Sequence, residues 1–221
     1  MLAAVLPPFL YLLLLRACRR NVRVLQFALR VQTSHNVALA LYSTYVAISS
    51  LHKLESSGRL DVWSNGWRPL LCTAGDGSPA FWYASKFWEW FDTVILLARG
   101  RAPGALHLGH HASTASMVAL HLYHRALPTP LFDVATALNG CVHMSMYCYY
   151  AYPALYRPLK RWITVSQIVQ HVTVLGLCAL ASTLDGCDAP ALPYGAALLG
   201  YGYYLVMFVR FYRGAYRETV A

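Results

Sequence analysis

The stretch Pro79-Ala-Phe-Trp-Tyr-Ala-Ser-Lys86-Phe-Trp-Glu89-Trp-Phe-Asp92-Thr93-Val-Ile-Leu-Leu97 sets Lys86, Glu89 and Asp92 inside an otherwise apolar run of helix-spanning length. Ionisable groups in hydrocarbon are expensive, so they face a shared interior and mark a functional path. The pattern recurs outward from this stretch. His107, His110 and His111 open the next apolar run, Asn139 and His143 lie in a third, and Gln167 and Gln170 in a fourth. Four consecutive segments of this kind predict one buried site built by a helical bundle.

Composition agrees. Of 221 residues, 57% are hydrophobic and 12% charged, against about 25% charged in soluble domains. Seven apolar segments recur from end to end, roughly Met1–Leu15, Thr33–Leu51, Pro79–Leu97, Gly104–Leu120, Pro130–Tyr150, Trp162–Ala181 and Pro193–Val209. Only helices or closed barrels satisfy the backbone in lipid, and these runs are too long and continuous for barrel strands. The expectation is an all-α integral membrane protein, one domain over residues 1–221, with about seven transmembrane helices. Pro79, Pro130 and Pro193 fall near helix starts, where the missing N–H costs little. The first run is followed, not preceded, by Arg16, Arg19, Arg20 and Arg23, which reads as an anchor and not as a cleaved signal peptide. The net charge of +9 reads as topology signal and lipid contact, with no motif for nucleic acid.

Lys and Arg segregate between alternate connections. Connections 16–32, 98–103, 151–161 and the tail 210–221 hold 13 of them, and connections 52–78, 121–129 and 182–192 hold 4. The positive-inside rule assigns the first group, and the C-terminus, to the cytosol. All four polar clusters then lie at similar depth toward the cytosolic side. Cys72 and Cys187 fall in loops on the other side, where a disulfide persists if that side is the endoplasmic reticulum lumen. A Cys72–Cys187 disulfide is expected, with Cys18, Cys141, Cys148 and Cys178 reduced.

Helical spacing puts His107, His110 and His111 on one face, Asn139, His143, Met146, Tyr147 and Tyr150 on another, and Thr164, Gln167, Gln170 and His171 on a third. Lys86, Glu89 and Asp92 step around their helix in a wider arc. A lone buried His is most often a hydrogen-bonded structural residue; three within five residues, facing a fourth, are not. Two chemistries use such a cluster. One is metal ligation, as in a His-box membrane desaturase or hydroxylase. The other close pair, His121 and His124, lies up to ~25 Å along the same helix and His35 and His52 are isolated, so a di-iron site lacks ligands. A mononuclear site from His107, His110, His111 and His143 stays open. The second chemistry is nucleophilic or acid–base catalysis by imidazole, whose acyl derivative is a reactive acyl donor.

Lys86-Phe-Trp-Glu89-Trp-Phe-Asp92-Thr93 resembles the K-x-x-E-x-x-D-T motif of the ELO family of very-long-chain fatty acid elongases, and His107-Leu-Gly-His110-His111 its H-x-x-H-H box. Asn139-Gly-Cys-Val-His143-Met-Ser-Met146-Tyr147-Cys-Tyr149-Tyr150 is similar to N-x-x-x-H-x-x-M-Y-x-Y-Y, and Thr164-Val-Ser-Gln167-Ile-Val-Gln170 to T-x-x-Q-x-x-Q. The resemblance covers residues 86 to 170 in family order.

What the resemblance implies is a seven-helix endoplasmic reticulum enzyme, with six helices around an acyl tunnel and an active site facing the cytosol. It implies condensation of acyl-CoA with malonyl-CoA to 3-oxoacyl-CoA, CoA and carbon dioxide, without metal or organic cofactor. Partners would be membrane lipid and the reductases and dehydratase of the elongation cycle. Under it His110 takes the acyl group and His143 sits opposite as a second imidazole, with His107 and His111 orienting His110. Asn139, Gln167 and Gln170 are donors to developing oxyanions, and Tyr147 packs and hydrogen-bonds. Lys86, Glu89 and Asp92 either touch substrate or neutralise one another while tying helices together. Arg99, Arg101, Lys160 and Arg161 either meet CoA phosphates or serve topology alone. The chain departs from the family in a clipped first helix and tail, in Arg99-Gly-Arg101-Ala-Pro103 where a basic-rich stretch is usual, and in ending Arg217-Glu-Thr-Val-Ala221 without a di-lysine signal. A metal-dependent lipid oxidoreductase is the enzyme alternative, and a lipid transporter or receptor the non-enzyme one.

Overall fold

The computed structural model describes residues 2–19, 21–72, 80–123, 130–185, 187 and 191–216. Among these, every regular element is helical: α1 (Leu2–Arg19), α2 (Val22–Ser56), the short α3 (Val62–Asn65) and α4 (Arg68–Leu71), α5 (Ala80–Trp88), α6 (Phe91–Ala98), α7 (Ala105–Tyr123), α8 (Pro130–Ala151), the short α9 (Pro153–Tyr156), α10 (Lys160–Ser182) and α11 (Ala191–Tyr216). Pro79, His124 and the tail Arg217–Ala221 lie outside the described residues.

Local chemistry sets the ends. Asn21 caps α2, its side-chain oxygen accepting from the Val24 amide at 3.2 Å. Gly100 follows α6 with φ +69°, a conformation glycine adopts without a Cβ clash.

The second apolar segment does not begin at Thr33. Helix α2 starts eleven residues earlier, at Val22, and runs 35 residues to Ser56. Charge alone read 16–32 as a connection, but Arg23 and Arg30 occupy the exposed face of a helix. Its opposite face buries Ala28 against Cys18, Val94 and Ile95. The first helix likewise continues past Leu15 to Arg19. The third segment is not one rod. It breaks at Glu89–Trp90 into α5 and α6, through i to i+3 bonds from Trp90 N to Phe87 O at 3.2 Å and from Asp92 N to Glu89 O at 3.0 Å.

Seven apolar spans were expected. Among the described residues one helical stretch, Pro153–Ser182, is long and apolar enough to cross a membrane on length and composition alone. Surface polarity is nevertheless inverted. Leu41 is 67% and Leu199 78% exposed, whereas Lys86 and Glu89 are each 3% exposed.

Helix α2 packs most extensively on α8, α1 on α7, and α10 on both α8 and α11. Gly140 permits the α2–α8 approach, since a Cβ there would stand 2.8 Å from the Ser43 carbonyl oxygen and 3.0 Å from Ala47 Cβ. One end of the bundle is filled by Leu54, Leu70, Leu71, Leu131, Val174 and Cys178. The same end carries a disulfide between Cys72 and Cys187, Cα atoms 4.7 Å apart. Beside it the Arg68 guanidinium donates to the Asp185 carbonyl oxygen. The other four cysteines are free.

Candidate active site

The break between α5 and α6 organises the site. On an ideal α-helix Asp92 would stand about 60° round the axis from Glu89. The tightened turn, near three residues per revolution, eclipses positions i and i+3. Both carboxyl groups therefore face one cavity of about 270 Å3.

Each carboxyl group is held. Lys86 Nζ lies 2.6 Å from Glu89 Oε1 and 3.7 Å from the centre of the Trp82 ring. Ser85 Oγ donates to the same Glu89 oxygen at 3.5 Å, and His143 Nδ1 stands 3.7 Å from it. Asp92 is bonded at both oxygens: His35 Nε2 is 2.7 Å from Oδ1, and the Tyr147 hydroxyl donates to Oδ2 at 2.7 Å. His35, isolated in the sequence, is thus a buried partner of the third motif residue.

Helix α7 brings His107, His110 and His111 to the cavity wall, and α8 supplies Asn139, His143 and Tyr147. Gln167, Gln170 and His171 come from α10, and Phe208 and Phe211 from α11. His110 and His143 face each other across it, ring centroids 6.5 Å apart. The three clustered histidines differ in their bonding. His107 Nε2 is 2.8 Å from Thr93 Oγ1. His111 is buried with Nδ1 unpartnered, and its backbone carbonyl accepts from Trp90 Nε1 at 2.9 Å. His110 makes no side-chain hydrogen bond among the described residues, and its ring packs 5.1 Å from Tyr204. Tyr204 is itself fixed by Ser113 Oγ at 2.6 Å.

Among the described residues, the buried side-chain oxygen of Asn139 is unpartnered at the cavity and the Gln167 amide has only the Met146 sulfur at 3.7 Å, so neither is strongly committed elsewhere. Lys86 is not in the cavity wall; it stands behind Glu89. His121 is far along α7, with Nδ1 2.7 Å from the Met117 carbonyl oxygen. Among the described residues no three His, Cys, Asp or Glu side chains are grouped so as to hold a metal ion.

Sequence reading missed three groups that shape this site. They are His35, Tyr204 of α11 and Tyr11 of α1, the last with its hydroxyl 2.8 Å from Thr93 Oγ1. None has a motif of its own, and each is joined to the site by a long-range contact.

The inner cavity shares Asp92, His107, Tyr150 and Phe211 with a second cavity of about 490 Å3, which adds Arg99 and Arg101. That one shares Arg101, Tyr149 and Pro153 with a third, of about 430 Å3, bearing Arg157 and Lys160. The three cavities thus adjoin one another from the histidines to a basic mouth.

The sequence profile of the GNS1/SUR4 (ELO) family matches residues 3–221. Among curated proteins the chain is similar to "Putative fatty acid elongase 2" of Schizosaccharomyces pombe, 31% identical over 154 residues, covering 63% of this chain and 41% of the relative. It is similar to "Very long chain fatty acid elongase 4" of Trypanosoma cruzi, 30% identical over 192 residues, covering 78% and 64%. With "Fatty acid elongase sre1" of Dictyostelium discoideum the identity is 29% over 198 residues, covering 84% and 72%. The match thus spans between 41% and 72% of the length of these relatives.

Proposed function

Because the chain belongs to the GNS1/SUR4 (ELO) family, we propose that it is a membrane-embedded fatty acid elongase. In this reading it condenses acyl-CoA with malonyl-CoA to give 3-oxoacyl-CoA, CoA and carbon dioxide. The relatives' names supply the substrate class. One observation carries the chemistry: His110, whose ring makes no hydrogen bond to the described residues, opens on the cavity opposite His143.

An uncharged imidazole attacks the thioester carbonyl carbon of acyl-CoA. The nitrogen–carbon bond forms, the carbon–sulfur bond breaks, and CoA leaves as a thiol after taking one proton. Malonyl-CoA then loses carbon dioxide, and its enolate attacks the acyl-imidazole carbon, releasing His110 and forming the new carbon–carbon bond. His143 stands beside the reacting carbons, held near Glu89, to handle the proton. Asn139, Gln167 and Gln170 offer amide donors where oxyanions develop. His107 and His111 orient His110, while Lys86 compensates Glu89 and leaves it an acceptor near His143.

Seven spans are proposed from the long rods α1, α2, α5–α6, α7, α8, α10 and α11 together with the apolar exterior. The mouth lined by Arg99, Arg101, Arg157 and Lys160 suits CoA phosphates and, by the positive-inside rule, faces the cytosol. The disulfide end would lie in the endoplasmic reticulum lumen.

The test is purified protein in detergent with radiolabelled malonyl-CoA and a panel of acyl-CoAs. Label should appear in a product two carbons longer. Without malonyl-CoA, the peptide containing His110 should gain the acyl mass, and His110→Ala should abolish both while leaving the fold intact. Turnover that survives His110→Ala would end the acyl-imidazole reading. Loss of turnover on chelation would favour metal chemistry, and lipid binding without turnover a transporter.

A further inference from the structure

Helix α1 is the rod least expected at the chemistry, yet it reaches the histidine box. Tyr11 is completely buried. Its hydroxyl lies 2.8 Å from Thr93 Oγ1, which lies 2.8 Å from His107 Nε2. Its ring stacks on His111 at 6.1 Å, with 20° between the planes, and packs 5.3 Å from Trp90. Trp90 in turn donates to the His111 carbonyl oxygen. One residue of α1 thus packs on His111 and reaches His107 through Thr93.

The two oxygens and one nitrogen form a line with limited options. The Thr93 hydroxyl has one proton to give and two neighbours, the Tyr11 oxygen and His107 Nε2. Either Tyr11 donates to Thr93 and Thr93 to His107, or the direction is reversed throughout. A phenol is a better donor than an aliphatic alcohol, which selects the first order. Nε2 of His107 is then an acceptor, and the ring carries its proton on Nδ1. His107 stands where the inner cavity meets the basic mouth, so its ring face and tautomer define the wall that an entering thioester passes.

We infer that Tyr11 is a positioning residue for the reaction, fixing the tautomer and plane of His107 through Thr93 and so presenting His110 to His143 by way of the His111 ring, which packs 4.2 Å from His107 and 5.4 Å from His110. The inference rests on the elongase reading for its kinetic consequence, but its physical content is the state of one imidazole.

The experiment has two arms. In the first, Tyr11→Phe removes only the hydroxyl, Thr93→Val cuts the line, and Thr93→Ser restores it. Tyr11→Phe should lower kcat about tenfold, on the order of what one buried hydrogen bond is worth, with KM for acyl-CoA within about twofold. Thr93→Val should do the same, the double variant should be no worse than Thr93→Val alone, and Thr93→Ser should retain most activity. Independent multiplication of the two losses, or a Tyr11→Phe kcat equal to that of the parent protein, overturns the inference. The second arm needs no turnover: nitrogen NMR of histidine-labelled protein in detergent, with the His107 signal identified by its loss in His107→Gln. The parent protein should show the Nδ1-protonated form, and Tyr11→Phe a mixture or the other tautomer. An unchanged signal overturns the inference whether or not the protein elongates acyl chains. A changed signal without condensation by the parent protein would instead discard the elongase reading alone.

Discussion

Replacing Lys86 with Met should destabilise the protein far more than replacing Lys86 and Glu89 together. The two side chains are 4% and 3% exposed, with Nζ 2.6 Å from Oε1. Without the ammonium group, Glu89 keeps a Ser85 hydroxyl at 3.5 Å and a His143 nitrogen at 3.7 Å, neither a full countercharge. Breaking a buried pair from one side costs about 3–5 kcal/mol, because an uncompensated charge stays behind. For a chain of this size that is on the order of 10 °C in thermal midpoint. Lys86→Met/Glu89→Gln removes both charges at nearly constant volume and should recover most of the loss. Thermal unfolding in one detergent, followed by tryptophan fluorescence, gives all three midpoints. Equal losses for the single and double variants, or a single-variant loss below about 1 kcal/mol, would refute the coupling argument.

Asp92→Asn presents an amide where His35 and Tyr147 now meet two acceptor oxygens, and should cost about 2–3 kcal/mol in unfolding free energy. Cys72→Ser opens a cross-link spanning 115 residues, so chemical unfolding under non-reducing conditions should show a loss of about 4–5 kcal/mol. The same change should be silent when the parent protein is measured fully reduced. Gly140→Ala drives a Cβ into the Ser43 carbonyl oxygen and should lower stability by about 1–3 kcal/mol. Gly176→Ala, where nothing lies within 4 Å, should be neutral or slightly stabilising. A comparable melting loss for both glycine variants would mean that the α2–α8 approach is not what Gly140 serves.

The convergence of four motifs was legible because each repeats at helical spacing, and a buried polar residue among apolar ones must face something. His110, His143, Asn139 and Gln170 were found this way. The partners were not legible. His35 reaches Asp92 across 57 residues of sequence, and Tyr11 reaches Thr93 across 82; a pairing at that separation leaves no local pattern. Charge misled at the start of α2, where Arg23 and Arg30 occupy a helix face and not a loop. Hydropathy was blind to the break at Glu89–Trp90, since both half-helices are apolar and no Pro or Gly marks it. Its consequence is local geometry: a tighter turn aligns two carboxyl groups that a regular helix would splay.

The 35 residues of α2 measure roughly 52 Å end to end, against ~30 Å of bilayer hydrocarbon. Its final turns are anchored, because Leu54 is wedged into the disulfide-bearing end. If α2 spans the bilayer as proposed, the surplus of about 20 Å would emerge at the opposite end or be absorbed by a lean. Film thickness would then act on the angle of the very rod that carries His35, and a thinner or thicker bilayer would rock the support of Asp92 without touching any reacting group.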